Sequence, residues 1–181
     1  MEQTTKQLVK DLLEQRRTAE QRLIAQYGPA VFRLVLRIVG RQEDAEEVYQ
    51  DVFVKVLQNI ASYDERLSTL STWISRIAYR ESISFMRRRR PAFVYIEENS
   101  LPLESLDAEE DEAPSELTRQ MLELAIAQLP PQEQALLIMF YYDKLSLRDI
   151  AFATDSLPST VGSQLCRIRK KLYRIIKTLA L

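Results

Sequence analysis

The apolar residues in the first ninety positions recur at spacings of three and four, the period of helices that bury one face. The spacing begins at Leu8, Leu12 and Leu13 and continues to Ile38. Gly28-Pro29 predicts a break or kink within this stretch, and Gly40 predicts a helix end. The pattern therefore predicts a helical block from the start of the chain.

Residues 43–60 carry the clearest amphipathic pattern. The apolar stripe consists of Ala45, Val48, Val52, Val56 and Leu57. The acids Asp44, Glu47 and Asp51 also fall at spacings of three and four, so a helix would place them together on another stripe. An acidic stripe of this kind suits docking on a basic surface, although a merely solvated acidic face is the more usual interpretation.

A loop and a basic-ended helix complete the first block. Residues 62–71 lack periodicity, whereas residues 72–90 return to a helical pattern that ends in four consecutive arginines. Pro91 stops that helix because proline cannot continue a helical hydrogen-bond ladder. Trp73, the single tryptophan, lies on this helix near Arg76 and Arg80. Aromatic rings beside guanidinium groups suit unpaired nucleic-acid bases, but a buried core tryptophan is the competing interpretation.

Residues 92–115 are poor in periodicity and rich in acids, and they predict an extended, mobile linker. The second block, from residue 116, predicts three or four short helices. The segments are 117–129, ended by Pro130-Pro131, then 132–142, 146–154 and a last helix from about residue 160.

The end of the chain has the pattern of a helix-turn-helix. Ser146 is a good helix N-cap with Asp149 as its reciprocal partner, and Asp155 stands where the turn favours a residue that tolerates positive φ. After the turn, a core-facing stripe is formed by Val161, Leu165, Ile168 and Leu172. The opposite face presents Thr160, Ser163, Gln164, Arg167, Lys170, Lys171 and Arg174. Hydroxyls, amides and bases on a second helix favour DNA recognition over a solvated helical hairpin.

Composition removes most enzyme classes. The 181 residues contain no His, only 3 Gly and a single cysteine, Cys166. Histidine-based catalysis, imidazole metal sites, glycine-rich nucleotide loops and an internal disulfide are therefore excluded. We expect no metal and no cofactor. No apolar run approaches the length of a membrane span and the polar start is unlike a signal peptide, so we expect no membrane insertion and a cytoplasmic protein.

The net charge of −1 conceals a segregated distribution. Residues 1–90 hold 16 Lys or Arg against 12 Asp or Glu, and residues 117–181 hold 9 against 5. Residues 91–116 hold 9 acids and no base. Two basic blocks separated by an acidic strip indicate surfaces that face charged partners.

Several motifs together resemble one family. LPPQE at 129–133, SLRDIA at 146–151 and STVGS at 159–163 resemble the C-terminal DNA-binding domain of extracytoplasmic-function (ECF) sigma factors of bacterial RNA polymerase. DAEEVYQDVF at 44–53 is similar to the polymerase-binding helix of that family, and STWISRIA at 71–78 with the arginine run is similar to its promoter-melting helix. The resemblance covers nearly the whole chain in the family's order.

The resemblance implies an all-α protein of two small helical domains, 1–91 and 116–181, with an acidic flexible linker at 92–115 and a C-terminal helix-turn-helix. It implies core RNA polymerase and promoter DNA as partners, with an anti-sigma factor a common third partner in the family. It also implies no catalysis by the chain itself. Glycines common in the family are replaced in the loop 62–68 and at Asp155, while Gly162 stands where relatives often carry a base or polar residue.

The resemblance implies three groups of site residues. For polymerase binding they are Asp44, Glu47, Gln50 and Asp51. For minus-10 recognition and melting they are Tyr63, Asp64, Arg66, Trp73, Arg76, Arg80, Arg87 and Arg88. For minus-35 DNA binding they are Thr160, Ser163, Gln164, Arg167, Lys170, Lys171 and Arg174.

Three alternatives remain. An ordinary helix-turn-helix regulator would use the first block for sensing or dimerisation, and it would bind promoters without polymerase. A helical scaffold would show no salt-dependent DNA binding. An enzyme is the weakest alternative, because no paired carboxylates or lysines are arranged for catalysis.

Overall fold

A computed structural model describes residues 2–89 and 116–179, with side chains for 4–89 and 120–179. In these residues the fold is all-α, as predicted. The helices are α1 (Glu2–Leu13), α2 (Arg17–Val39), α3 (Gln42–Asn59), α4 (Leu70–Arg89), α5 (Glu116–Ala127), α6 (Pro131–Leu137), α7 (Leu147–Thr154) and α8 (Pro158–Leu179). The predicted linker, 92–115, lies outside the described residues.

Helices α1 to α4 form the first block. α2 packs against α1, α3 and α4, and α3 packs against α4. Val48, Val52 and Val56 of the predicted apolar stripe are buried on α3. Gly40 ends α2 as predicted, because it adopts a left-handed conformation (φ 85°) and donates its amide to the Leu36 carbonyl. A 3₁₀ turn, Ile60–Ser62, then leads into the loop before α4.

Of the break or kink predicted at Gly28-Pro29, the break is wrong, because α2 continues through both residues, and the kink stays a prediction. Gly28 is buried, and a Cβ atom at this position would lie 2.6 Å from the Tyr49 hydroxyl. Glycine therefore permits close approach of α3. The real interruption lies earlier, between Leu13 and Arg17, where Gln15 has a φ of 56°. The apolar spacing gave no sign of that turn.

Helices α5 to α8 form the second block. The helix predicted at 132–142 passes at Ile138 into a π-helical turn, Ile138–Tyr142. Ser146 caps α7 as predicted: its hydroxyl oxygen accepts the Asp149 amide at 3.1 Å. Asp155 adopts the predicted positive φ, 54°, between α7 and α8. Val161, Leu165, Ile168 and Leu172 are all buried, which confirms the core-facing stripe and the helix-turn-helix.

The two blocks lie against each other through two helix pairs. α4 packs against α7, and α2 packs against α6. The first helix of the helix-turn-helix is thereby placed beside the arginine-bearing helix of the first block. This arrangement, which no sequence pattern predicted, decides which candidate site residues face solvent.

Candidate functional site

The acidic stripe of α3 is smaller than the spacing predicted. Glu47, Gln50 and Asp51 are exposed. Asp44 is only 9% exposed, and its carboxylate accepts a hydrogen bond from Arg89 at the end of α4. The guanidinium compensates the burial of the carboxylate, so Asp44 anchors the start of α3 to α4. The exposed acidic face therefore consists of Glu47 and Asp51 with Gln50 between them.

An aromatic cluster lies under this face. The Tyr49 ring meets Phe32 edge-on at 5.7 Å between centroids and contacts Phe53 at 4.9 Å. Partial burial raises the pKa of the Tyr49 hydroxyl, so this group stays a neutral donor over a wider pH range. Packed rings fix the orientation of α3 against α2, and this fixes the direction in which Gln50 and Asp51 point.

The loop before α4 is held by its own side chains. Asp64 accepts hydrogen bonds from the Arg66 backbone amide at 2.9 Å and from its guanidinium Nη2 at 2.7 Å. The hydrogen bonds from Arg66 lower the pKa of Asp64 to about 2. Because that folded-state pKa lies below the ordinary value, the interaction stabilises the loop at neutral pH and is lost as pH falls through about 2.

Tyr63 joins this loop to α4. Its hydroxyl donates to the Ser68 carbonyl at 3.2 Å, and its ring lies 5.7 Å from the Trp73 ring, centroid to centroid, with a 60° tilt. Burial is the main cause that raises the pKa of Tyr63. Trp73 is half-buried and packs at the edge of the core, so it is neither a fully buried core residue nor an exposed one.

An open groove runs beside Trp73, between the last turns of α3 and the N-terminal part of α4. It is lined by Lys55, Asn59, Ser62, Trp73, Arg76, Ile77, Arg80 and Glu81. Polar and apolar groups contribute to its walls, and Lys55 pairs with Glu81 at 2.6 Å. The structure thus brings Trp73, Arg76 and Arg80 together on one groove, as their spacing on the helix predicted.

The two groove arginines are occupied by the second block. Arg76 donates to Asp155 Oδ1 at 2.6 Å, and Arg80 donates through Nε to Asp155 Oδ2 at 3.0 Å. The Arg76 guanidinium also lies 4.4 Å from the centre of the Phe152 ring. Arg87 and Arg88, farther along α4, are exposed.

The basic face of α8 is more open. Thr160, Ser163, Arg167 and Arg174 are exposed, and Gln164, Lys170 and Lys171 are half-exposed. The Ser163 hydroxyl donates to the Ser159 carbonyl at 3.0 Å, and Lys171 pairs with Glu133 on α6 at 3.1 Å. The seven predicted residues therefore share one face of one helix, with Lys171 held toward α6.

Sequence reasoning missed the polar contacts between the blocks. Arg33 pairs with Asp143 at 2.5 Å, and Thr72 donates to Asp149 at 3.2 Å. Burial raises the pKa of Asp143, and the Arg33 hydrogen bond opposes this shift. Arg169, another residue outside the predicted set, donates from Nε to the Tyr141 hydroxyl at 2.8 Å. These partners lie far apart in sequence, so periodicity cannot pair them.

The described residues contain neither a helix that could cross a membrane nor a cluster of metal-ligating side chains. Across residues 2–89 and 116–179, no helix combines the length and the apolar character that crossing a membrane requires. The same part of the chain holds no group of three or more His, Cys, Asp or Glu side chains placed to share a metal ion.

Family models match both blocks. The model described as Sigma-70 region 2 matches residues 23–92, and the model described as Sigma-70, region 4 matches residues 119–172. The first contains the acidic face and the groove, and the second contains the helix-turn-helix.

Curated relatives extend this similarity. The ECF RNA polymerase sigma factor SigW of Bacillus subtilis is 25% identical over 99% of this chain and 100% of its own length. The ECF RNA polymerase sigma factor SigE of Mycolicibacterium smegmatis is 27% identical over 84% of this chain and 56% of its own. The match therefore spans little more than half of the SigE chain.

Solved structures share the fold. The sigma factor RpoE of Bartonella quintana, in complex with the anti-sigma factor NepR, superposes with a TM-score of 0.64 at 20% identity, over 87% of this chain and 96% of that one. CnrH, in complex with the cytosolic domain of CnrY, gives a TM-score of 0.69 at 17% identity, over 96% and 97%.

Proposed function

The chain belongs to the extracytoplasmic-function sigma factors, which bind core RNA polymerase and direct it to promoters, and from this membership we propose how its residues divide the work. The first domain, 1–91, would bind polymerase and open the minus-10 element. The second, 116–181, would read the minus-35 element. The acidic segment 92–115 would thread a basic channel of the polymerase between them.

Polymerase binding is assigned to the exposed acidic face of α3. Glu47 and Asp51 supply two carboxylates, and Gln50 supplies an amide between them. A basic partner surface would gain both steering and register from these charges. Asp44 supports this face indirectly, because its pairing with Arg89 holds the start of α3 in place.

Promoter opening is assigned to the groove beside Trp73. An unpaired base can stack on the exposed part of the Trp73 ring while Arg76 and Arg80 bind phosphates, and Arg87 and Arg88 extend the basic track. The loop 62–68 would take up a flipped base, with Tyr63 packed on Trp73 and the Asp64–Arg66 pair fixing the loop.

Minus-35 recognition is assigned to the exposed face of α8. Thr160, Ser163, Gln164 and Arg167 lie in the first half of the helix, where a recognition helix reaches base edges. Lys170, Lys171 and Arg174 lie farther along and are assigned to phosphates, which provide affinity with little sequence information. Gly162 provides no side chain for a base contact.

Sigma factors are non-catalytic initiation factors, so we assign no reaction to this chain and no cofactor. It would act where the polymerase acts, in the cytoplasm. The solved RpoE of Bartonella quintana is in complex with the anti-sigma factor NepR, and this supports an anti-sigma factor as a third partner here.

One observation carries this proposal: the acidic face of α3 and the basic face of α8 are both exposed, on helices from different blocks. Run-off transcription with purified core polymerase on a promoter library is the direct test. Asp51→Arg should weaken core binding at least tenfold with unchanged helix content. Glu20→Arg is the matched control, because it makes the same charge reversal at an exposed carboxylate on α2, outside the acidic face of α3. Unchanged affinity of Asp51→Arg for core polymerase would remove α3 from the interface.

A further inference from the structure

Every aspartate of the second block contacts the first block. Asp143 pairs with Arg33, Asp149 accepts from Thr72, and Asp155 binds Arg76 and Arg80. They lie six residues apart along α7 and its two flanking turns. By contrast, Glu133 pairs within its own block, with Lys171. The three aspartates therefore define one polar interface, here called the closing face, between the helix-turn-helix and helices α2 and α4.

Asp155 is the centre of the closing face. Its two carboxylate oxygens are divided between two guanidiniums, Oδ1 to Arg76 and Oδ2 to Arg80. Asp155 has a left-handed conformation, with φ 54°, in the turn after α7, and its carboxylate faces Arg76 and Arg80 of α4. Phe152, one turn earlier on α7, covers the Arg76 guanidinium from the side. Both arginines line the groove beside Trp73.

A carboxylate held by two guanidiniums occupies a position that also suits a phosphate. A carboxylate and a phosphate both carry negatively charged oxygens. The planar guanidinium of arginine can bind either group through two parallel N–H donors. We propose that Asp155 acts as an internal substitute for a nucleic-acid phosphate, so that the closed chain withholds Arg76 and Arg80 from single-stranded DNA. This inference rests on the proposed function of those two arginines in promoter opening.

The strength of the contact suits a reversible lock. The side chains of Arg80 and Asp155 are 53% and 48% exposed, so solvent screens their attraction. Removal of the Asp155 charge should therefore weaken the closed state and leave the other contacts of the closing face, such as Arg33–Asp143, in place. A partner that binds the open chain can then shift the population. Affinity for DNA falls by the fraction of chains that are closed, and removal of the lock restores it.

Asp155→Asn is the sharpest variant, because asparagine keeps the shape and tolerates positive φ while it loses the charge. Binding of a dye-labelled single-stranded oligonucleotide of mixed sequence to the full free chain is measured by fluorescence anisotropy. We expect Asp155→Asn to bind about threefold to tenfold more tightly. Asp155→Gly, which also adopts positive φ freely, should agree with it. Glu123→Gln, on α5, removes the same charge away from the closing face and should change affinity less than twofold.

Closure is measured separately, by the distance between spin labels at Gln58→Cys and Leu124→Cys in a Cys166→Ser background. Both label sites are exposed and lie on different blocks. The parent chain should give one narrow distribution, and Asp155→Asn should add a broader, longer one. Unchanged distances and unchanged oligonucleotide affinity would overturn the inference. An opened chain with unchanged affinity would overturn it as well, because the carboxylate would then not compete with phosphate.

A third measurement separates this inference from the proposed function. Arg80→Ala is assembled with core polymerase and assayed on a duplex promoter. If transcription falls while Asp155→Asn leaves oligonucleotide binding unchanged, the arginine assignment stands and only the lock is wrong. If Arg80→Ala transcribes normally, the assignment of Arg80 to promoter opening fails, and the lock, which rests on it, fails with it.

Discussion

The two basic helices of this chain carry similar side chains but differ in how available those side chains are. On α8, Thr160, Ser163 and Arg167 are exposed. On α4, the Arg76 side chain is only 26% exposed, and it shares the Asp155 carboxylate with Arg80. Several polar and basic side chains of α8 are therefore exposed in this structure, whereas Arg76 and Arg80 of α4 pair with an aspartate of the block that carries α8.

The cause lies in where the acids of the second block fall. From Ser159 onward there is no Asp or Glu, so α8 has no carboxylate of its own to pair with its basic face. Helix α7 and the turn that follows it, by contrast, place Asp149 and Asp155 against α4. Charge count alone therefore does not say which basic surface is open, because the position of the nearest acids decides it.

The largest effect is expected at Trp73, which lines the groove together with Arg76 and Arg80. Trp73→Ala should transcribe about tenfold or more weakly from duplex promoters, because base–aromatic stacking contributes about 1–3 kcal/mol per base. Activity should recover on a template with a pre-opened bubble. Run-off transcription on the two templates is the measurement. Tyr142→Ala is the control, because Tyr142 is an exposed aromatic residue of the second block. It should change transcription from either template only slightly.

If Trp73→Ala reduces transcription equally on both templates and also lowers the melting temperature of the protein, this prediction is contradicted. The half-buried Trp73 ring, packed on Tyr63, would then serve the core of the first block and not the opening of DNA.

A comparable effect, but on specificity, is expected at Arg167 on the open surface. A bidentate contact from arginine to guanine contributes about 1–3 kcal/mol of discrimination. Arg167→Ala should therefore relax the preference at one or two minus-35 positions. Selection from a randomised minus-35 library with the polymerase complex measures this. If the selected sequence is unchanged, Arg167 contacts phosphate and the readout lies elsewhere on α8.

Much of the fold was predictable because its signals are local. The stripe of Val161, Leu165, Ile168 and Leu172, the Ser146 cap and the positive φ at Asp155 each depend on a few neighbouring residues. The same local reasoning predicted a break or kink at Gly28-Pro29, and the helix does not break there. A proline in a helix forgoes one hydrogen bond, and packing of α2 on four other helices outweighs that loss.

The candidate site was only partly predictable for the same reason. Spacing placed Trp73, Arg76 and Arg80 on one face correctly. Spacing also placed Asp44 with Glu47 and Asp51, but Arg89, forty-five residues away, turns Asp44 inward. Pairs such as Arg33–Asp143 and Arg80–Asp155 depend on how the blocks pack, and a single sequence holds no signal of that packing.

A smaller effect is expected at Lys171, which tests the division of labour along α8. Lys171→Ala should weaken binding to all promoters by the same factor. It should also lower the slope of log affinity against log salt concentration by about one unit. Glu133→Gln, which frees Lys171 from its partner, should shift affinity in the opposite direction. Titration of the polymerase complex with two unrelated promoters at several salt concentrations measures both. A loss confined to one promoter would make Lys171 a sequence-reading residue.

The smallest effect is expected at Gly162, the position of α8 without a side chain. A Cβ atom there would meet only Leu147 Cδ1, at 3.7 Å, which is ordinary van der Waals contact. Gly162 does not have positive φ, so the backbone does not need glycine. Gly162→Ala should therefore raise the free energy of unfolding by about 0.5–1 kcal/mol, because alanine loses less backbone entropy in a helix. Thermal melting of the full chain measures this, with minus-35 selection as the control for function. A lower melting temperature would mean that the space between Gly162 and Leu147 is needed for packing of α8 on α7. A higher melting temperature, with the same minus-35 sequence selected, would mean that position 162 contributes nothing to DNA recognition.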